Sequence, residues 1–395
     1  MNFKLGNRGS RRRRGNNKSL SNVLVGVLIG LVLVLAAFPL IFWNEKRAIE
    51  TAQSLEEGAD NVVSIESDTV DPNHDGDLIH TTGELDTTST VADPDFPIEE
   101  EALVLRREVE MFQWHEESER RDDRTYYTYR TDWSSRVIDS SRFDEPSQHR
   151  NPNSMPYDRT VQRANDVTLG AFDLSNTFIE KIANFTDFDL GDDFVDELPD
   201  NLERPPHVDG NQLYLGNDPN NPDVGDVRIR FSIVHPHEAS IVGEQSGSLL
   251  SAYAADAGRD VALLTAGRAS ADEMFEDAMA ENVAITWAVR GGALLAMFLG
   301  FVMIFGPISY VARFIPFFGR LIVTAKKMVA FALTLVLGGG AMTFSWLLYR
   351  PLIGIPLLLG FLFLGGAAFA LAVWMMSRAD DEEPAAADGG DIGTI

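Results

Sequence analysis

The chain has 395 residues and no cysteine, with 59 acidic against 33 basic side chains and a net charge of −26. Without thiols it has neither a disulfide framework nor a cysteine nucleophile. Residues 44–287 hold 53 of the acids and only 19 of the bases, a field that opposes a nucleic-acid partner.

Residues 1–21 are polar and Arg-rich, with Arg11, Arg12, Arg13 and Arg14 in one run. They read as a basic cytoplasmic N-terminus. Residues 22–43 form a first transmembrane helix, since Val23 to Trp43 is apolar for about the 20 residues that a bilayer core requires. The run is too long for a signal-peptide core and ends in Trp43-Asn44-Glu45-Lys46, so it reads as an uncleaved anchor. Gly26 and Gly30 are a small-xxx-small pair that lets another helix approach. Pro39 is expected to kink the outer end.

Residues 44–287 read as an acidic extracytoplasmic α+β domain. Glu45 to Gly58 continues as a helix, with Gly58 as its stop. Strand patterns follow at Asn61–Ser64, Leu78–Leu85, Leu103–Trp114 and Tyr126–Ile138. Leu174 to Phe185 reads as a short amphipathic helix. Asn211–Leu215 and Asp226–Val234 return to strand, the latter with strict alternation of Val227, Ile229, Phe231 and Ile233. Asp75-Gly76 before one strand and Asp209-Gly210 before another suggest two related β-modules, although Asp-Gly turns are common. Ser270-Ala-Asp-Glu273 is a capping box opening a helix that runs on toward the membrane. Arg290, at its far end, is expected to snorkel to the interface.

The remainder alternates apolar and basic. Residues 288–311, 328–348 and 352–374 are three further spans, giving four transmembrane helices. The connection 312–327 carries Arg313, Arg320, Lys326 and Lys327 without an acid, and the tail 375–395 is acidic and reads as disordered. Basic residues before the first span and in this connection place both on the cytoplasmic side, which sets both termini inside and residues 44–287 outside. Gly338, Gly339 and Gly340 point to close helix packing.

Candidate chemistry is sparse. Asp71, Asn73, Asp75 and Asp77 alternate like the start of a calcium loop, but Thr82 stands where a bidentate Glu is expected, so an acidic turn is the simpler reading and calcium the alternative. His235 and His237 lack a third ligand. Ser246 lacks nucleophile-elbow spacing, and there is no Walker loop. No catalytic residue and no other cofactor is assigned.

Several motifs resemble the transmembrane protein 43 (LUMA) family. They are Asn44-Glu45-Lys-Arg47-Ala48, Leu105-Arg-Arg-Glu-Val-Glu-Met111, Tyr129-Arg-Thr-Asp-Trp133, His149-Arg-Asn151-Pro152, Asn217 to Asp226, Thr286-Trp287 with Arg290, and Trp346-Leu-Leu-Tyr349-Arg350-Pro351. The resemblance implies one anchor, a large non-cytoplasmic domain and three C-terminal spans. It further implies a non-enzymatic membrane scaffold that self-associates in the lipid and gathers other membrane or surface proteins. An extracytoplasmic enzyme or metal-dependent module, or an oligomeric channel, is the alternative. The acidic domain, with 27 Arg against 6 Lys over the chain, suits molar salt and points to a halophilic, archaeal prokaryote.

Overall fold

The structure is a computed structural model that describes residues 20–121, 124–191, 193–199, 202–307, 319–349 and 351–381. Arg11 to Arg14, Arg313 and residues 382–395 of the tail therefore lie outside the described residues. The chain divides into two compact units. One is Met1–Ala52 with Ala280–Ile395, and the other is Gln53–Met279.

Helix α1 (Leu20–Asn61) is continuous through the apolar run and the Glu- and Ala-rich segment after it, with Pro39 inside it. Gly58 does not end it. Strands β1 (Val63–Ser64), β2 (Leu78–Asp86), β3 (Thr90–Ala92), β4 (Glu99–Glu101), β5 (Val104–Arg121) and β6 (Arg124–Ser134) follow. After them come β7 (Thr160–Arg163), β8 (Thr168–Leu169), β9 (Phe172–Leu174), helix α2 (Asn176–Ile179), β10 (Thr186–Asp187) and helix α3 (Phe194–Glu197). The second half of the domain holds β11 (Pro206–Asp209), β12 (Gln212–Leu215), β13 (Val227–Val234), β14 (His237–Ser246), β15 (Leu249–Ser251), β16 (Tyr253–Ala254), β17 (Asp260–Val261) and β18 (Leu263–Ala266). The described residues after these strands form α4 (Ala271–Ile304), α5 (Gly319–Tyr349) and α6 (Pro351–Asp381).

Two seven-stranded sheets organise the second unit. One runs β1-β2-β8-β9-β15-β14-β18, with β2 also paired to β14. The other runs β11-β12-β13-β5-β6, with β10 on β13 and β7 on β5. A single core joins them: Ile79 and Leu85 of the first sheet cluster with Leu105, Ile229 and Phe231 of the second. The alternation of Val227, Ile229, Phe231 and Ile233 puts all four side chains into that core, as period-2 burial demands. A smaller cluster packs the end of α1 and the start of α4 on β2 and β14 through Leu55, Met274, Phe275, Leu78 and Val242. The capping box forms: Ser270 N–H donates to Glu273 Oε2 at 2.9 Å, and Glu273 N–H to Ser270 Oγ at 3.3 Å.

The two Asp-Gly segments are not equivalent. Strand β12 pairs directly with β13, whereas β2 and β5 belong to different sheets. A duplicated module would repeat its pairing, and this fold does not. The expected helix over Leu174–Phe185 shrinks to the single turn α2, because Arg163 Nη1 draws the carbonyls of Ile179 and Ile182 to 3.0 and 3.1 Å.

In the first unit, three described helices are long and apolar enough to cross a bilayer: α1, α4 and α5. The fourth expected span falls in α6, whose described apolar stretch is Leu358–Leu371. Helix α1 meets α4 along a seam of Gly30, Val34, Ala37 and Ile41, repeating every three or four residues as coiled-coil packing does. Ala293, Met297 and Phe301 face it from α4. The two backbones nearly touch: a Cβ on Gly30 would lie 2.5 Å from Gly300 O, and one on Gly300 would lie 2.7 Å from Gly30 O. Gly338 lies against Leu294 and Gly339 against Phe361, whereas Gly26 and Gly340 have open space. Arg320, Lys326 and Lys327 fall near the start of α5.

Gly30→Leu is therefore expected to lower the stability of the detergent-solubilised protein by about 1–3 kcal/mol, as overpacking does. Gly26→Leu should stay within about 0.5 kcal/mol of the parent. Thermal unfolding of the two variants side by side checks this.

Candidate functional site

The α1–α4 seam turns polar where the apolar run ends. Asn44, Ala48, Asn282, Thr286 and Arg290 continue the spacing of three to four residues, so they fall on the facing stripes. Asn44 and Glu45 are both fully buried. Glu45 accepts from Arg290 in a bidentate pair, Oε1 from Nε at 2.6 Å and Oε2 from Nη2 at 2.7 Å. Trp346 of α5 adds its indole N–H to Glu45 Oε2 at 2.8 Å. The Arg290 guanidinium lies over the ring of Trp287 at 4.9 Å and near that of Trp346 at 5.8 Å. Asn44 Nδ2 donates to Thr286 O at 3.3 Å, and Asn282 Nδ2 donates to Ala48 O at 3.0 Å. Arg47 Nη2 donates to Thr286 Oγ1 at 3.0 Å, whose own hydroxyl donates to Asn282 O at 2.6 Å.

Both acceptor atoms of Glu45 are thus engaged by aligned donors, the condition under which a buried ion pair is tolerated. Such a cluster can hold three helices in one register. The expectation that Arg290 snorkels is corrected. Its side chain is only 11% exposed and is claimed by Glu45, because a guanidinium beside a buried carboxylate is better satisfied there than by reaching for water. The sequence carried one signal of the pairing. Glu45 follows its apolar run and Arg290 precedes its own, so antiparallel packing of the two helices brings them to one level.

In the second unit the polar anchors are also buried and paired. Arg107 on β5 bonds Asp93, bonds Asp95 at 2.6 Å, and donates from Nε to Asp158 O at 3.0 Å. Asp226 has no exposed surface. It accepts from Arg204, from Tyr214 Oη at 2.5 Å and from Asp223 N–H at 2.8 Å. The loop Asn217–Gly225 closes over it. Gly216 must lack a Cβ here, since one would lie 2.5 Å from the Asp226 carboxyl carbon. Burial and the bond to Asp226 push the Tyr214 phenol well above its usual range. A cavity of about 430 Å³ is lined by Glu108, Glu110, Arg136, Arg159, Arg228 and Arg230. With Asp158 the lining holds three carboxylates against four guanidiniums, and Arg228 Nε lies 2.6 Å from Glu110 Oε2.

The calcium candidates do not converge. Asp71 Oδ1 caps a short turn by accepting from Asn73 N–H at 2.9 Å, Asp75 Oδ1 accepts from Gly247 N–H at 2.7 Å, and Asp77 pairs with His74 at 3.0 Å. Among the described residues, no group of three or more His, Asp or Glu could hold a metal ion. His237 Nδ1 lies 2.9 Å from His235 O, and His207 Nε2 lies 3.1 Å from Gly216 O.

One feature went unread in the sequence. Strands β5 and β6 run on together past the rest of the sheet as a hairpin, in register from Met111 opposite Ser134 to Arg121 opposite Arg124. Tyr129 fixes its base: the phenol donates to Glu116 Oε2 at 2.7 Å, and the ring stacks on His149 at 3.6 Å between centroids. Desolvation first, and then the bond to Glu116, raise the Tyr129 phenol to about 12. A raised acid is favoured in its protonated form by folding. This stabilisation is therefore complete below the ordinary tyrosine value near 10 and is lost as pH climbs toward about 12.

Long apolar helices in one unit and two sheets in the other define an integral membrane protein with a large β-rich domain. The sequence model of the family described as Transmembrane protein 43 matches residues 111–351. Transmembrane protein 43 of Homo sapiens is 34% identical over 356 residues, covering 84% of this chain and 86% of the human one. The mouse protein is 35% identical over the same length and the same shares. The Drosophila melanogaster homolog is 30% identical over 359 residues, covering 84% and 91%. The chain belongs to the Transmembrane protein 43 family. No solved structure matches it.

Glu45→Gln should cost about 3–5 kcal/mol, the usual penalty for stranding one member of a buried pair. Trp346→Phe should cost about 1 kcal/mol, the worth of one hydrogen bond. Thermal melts in detergent separate the two. In an alkaline titration followed by phenolate absorbance, Tyr129→Phe should remove a tyrosine step near 12.

Proposed function

We propose that this protein is an integral membrane scaffold that self-associates and docks other proteins through its β-rich domain. In this reading four helices span the membrane, both termini are cytoplasmic, and residues 44–287 lie outside. Basic residues before α1 and in the connection ahead of and within the start of α5 support that orientation.

The observation that carries the docking role is the β5–β6 hairpin. Beyond Trp114, whose N–H and C=O are taken by the Asn151 side chain, β5 has only β6 as a strand partner among the described residues. A two-stranded ribbon is marginal in water unless something packs on it. Yet Tyr126 and Tyr127 present about half of their surface to solvent, at 49% and 41%. Exposed aromatics on a preformed ribbon are the material of binding surfaces, where Tyr supplies area at low entropic cost.

The charged side chains of the domain engage one another, as at Arg107, Asp226 and the Arg228–Glu110 pair. The reading gives them structural work and assigns the domain no catalysis and no cofactor. The carboxylate-rich surface of residues 44–287 supports a high-salt host, where self-repulsion is screened within about 3 Å at 1 M.

Crosslinking in native membranes followed by mass spectrometry tests the scaffold. It should recover linked copies of this chain and other membrane proteins joined through residues 112–134. Recovery of unlinked chain alone would contradict it. Transfer of the purified protein from molar to millimolar salt should lower the melting temperature of the β-rich domain, read by circular dichroism.

A further inference from the structure

Among the described residues, strand β6 is the last strand of its sheet. Its backbone polarity can be assigned residue by residue. Phe112 of β5 turns its N–H and C=O to the segment leading into β13, at Asp226 and Gly225, both at 2.8 Å. Even-numbered residues of β5 therefore point away from β6, and odd-numbered ones bond to it. Glu119 stands opposite Tyr126, Glu117 opposite Thr128 and His115 opposite Arg130. Those three residues of β6 are accordingly bonded to β5. Thr125, Tyr127, Tyr129 and Thr131 send their N–H and C=O groups outward, in a row.

Natural edge strands carry a proline, a lysine, a bulge or a cover to stop other strands adding to them. Strand β6 has eleven residues, no proline and no lysine, and its register with β5 is unbroken. An edge so built accepts a further strand by β-augmentation.

We propose that the strand it accepts is β6 of a second copy, paired antiparallel about a two-fold axis at Thr128. This rests on the self-association proposed above and names the surface that performs it. The strand is complementary to itself in that register. Bonded pairs set Tyr127 against Tyr129 and Thr125 against Thr131. Non-bonded pairs set Thr128 against Thr128, Tyr126 against Arg130, and Arg124 against Asp132. Aromatic, hydroxyl, cation–π and opposite-charge pairs are the favourable cross-strand combinations. Moving the axis to Tyr127 would put Arg124 against Arg130, two like charges. Moving it to Tyr129 would leave Arg124 against Ser134. The charged residues thus choose the axis, and one sheet runs through both copies.

The absence of cysteine makes the test clean. In a non-bonded pair the two Cβ atoms approach to about 4.5–5.5 Å, close to disulfide reach. Full-length Thr128→Cys in native membranes should form a linked dimer under mild oxidation, whereas Ser118→Cys on the other strand should stay single. Thr125→Cys and Thr131→Cys should link to each other when co-expressed, and neither should link to itself. Tyr127→Pro deletes an outward N–H without touching the β5 bonds. It should weaken dimerisation of the solubilised protein at least tenfold by mass photometry. Linkage at Tyr127→Cys in place of Thr128→Cys would overturn the axis. A dimer that persists in Tyr127→Pro with no Thr128→Cys linkage would overturn this surface while leaving self-association standing. A monomeric parent protein would overturn both.

Discussion

A carboxylate with no access to water, Glu45, is tied at both oxygens to Arg290 and Trp346. Burying either charge alone would cost several kcal/mol, so the three helices that contribute these residues can settle only where the pair is made. Below the pair, Gly30 and Gly300 let the backbones of α1 and α4 approach until an added Cβ would collide. The polar tie sets the register of the seam, and the glycines set its depth. Within apolar surroundings an ion pair adds what interchangeable aliphatic contacts lack, a single arrangement that satisfies it.

The β-rich unit repeats the device. Arg107 and Asp226 are both buried, and each is surrounded by donors or acceptors from segments distant in sequence. These ties hold the loops around the second sheet, so β13 and the first half of β5 form a rigid base. The hairpin that grows from this base keeps, among the described residues, open backbone groups along β6, with Tyr126 and Tyr127 in solvent. Rigid base and open arm together are what a docking element requires: preorganised geometry and unspent surface.

Much of this was legible in the residues. The apolar runs marked the long helices, the capping box marked the start of α4, and the alternation in Val227–Ile233 marked a half-buried strand. What was missed has physical causes. Strand β14 pairs with both β2 and β18 and is buried on both faces over Ala239–Gly243. A strand covered on both sides loses its period-2 pattern, and Gly243 interrupts what remains. The two-residue strands β8 and β10 are bonded by longer neighbours, and β16 and β17 pair only with each other, so no local signal encodes them. Of the aspartates arranged like a metal loop, Asp71 caps a turn through the N–H two residues on, whereas Asp75 and Asp77 engage Gly247 and His74. The Glu45–Arg290 tie joins residues 245 positions apart, and periodicity within one helix says nothing about the helix it will face.

Glu45 and Arg290 act on each other and not separately. A charge swap measures this most directly: Glu45→Arg, Arg290→Glu and the double exchange, each followed by thermal unfolding in detergent. Either single reversal is expected to collapse the helical unit, and the double exchange to recover a large part of the lost stability. A double exchange as damaged as the sum of the two singles would contradict that coupling.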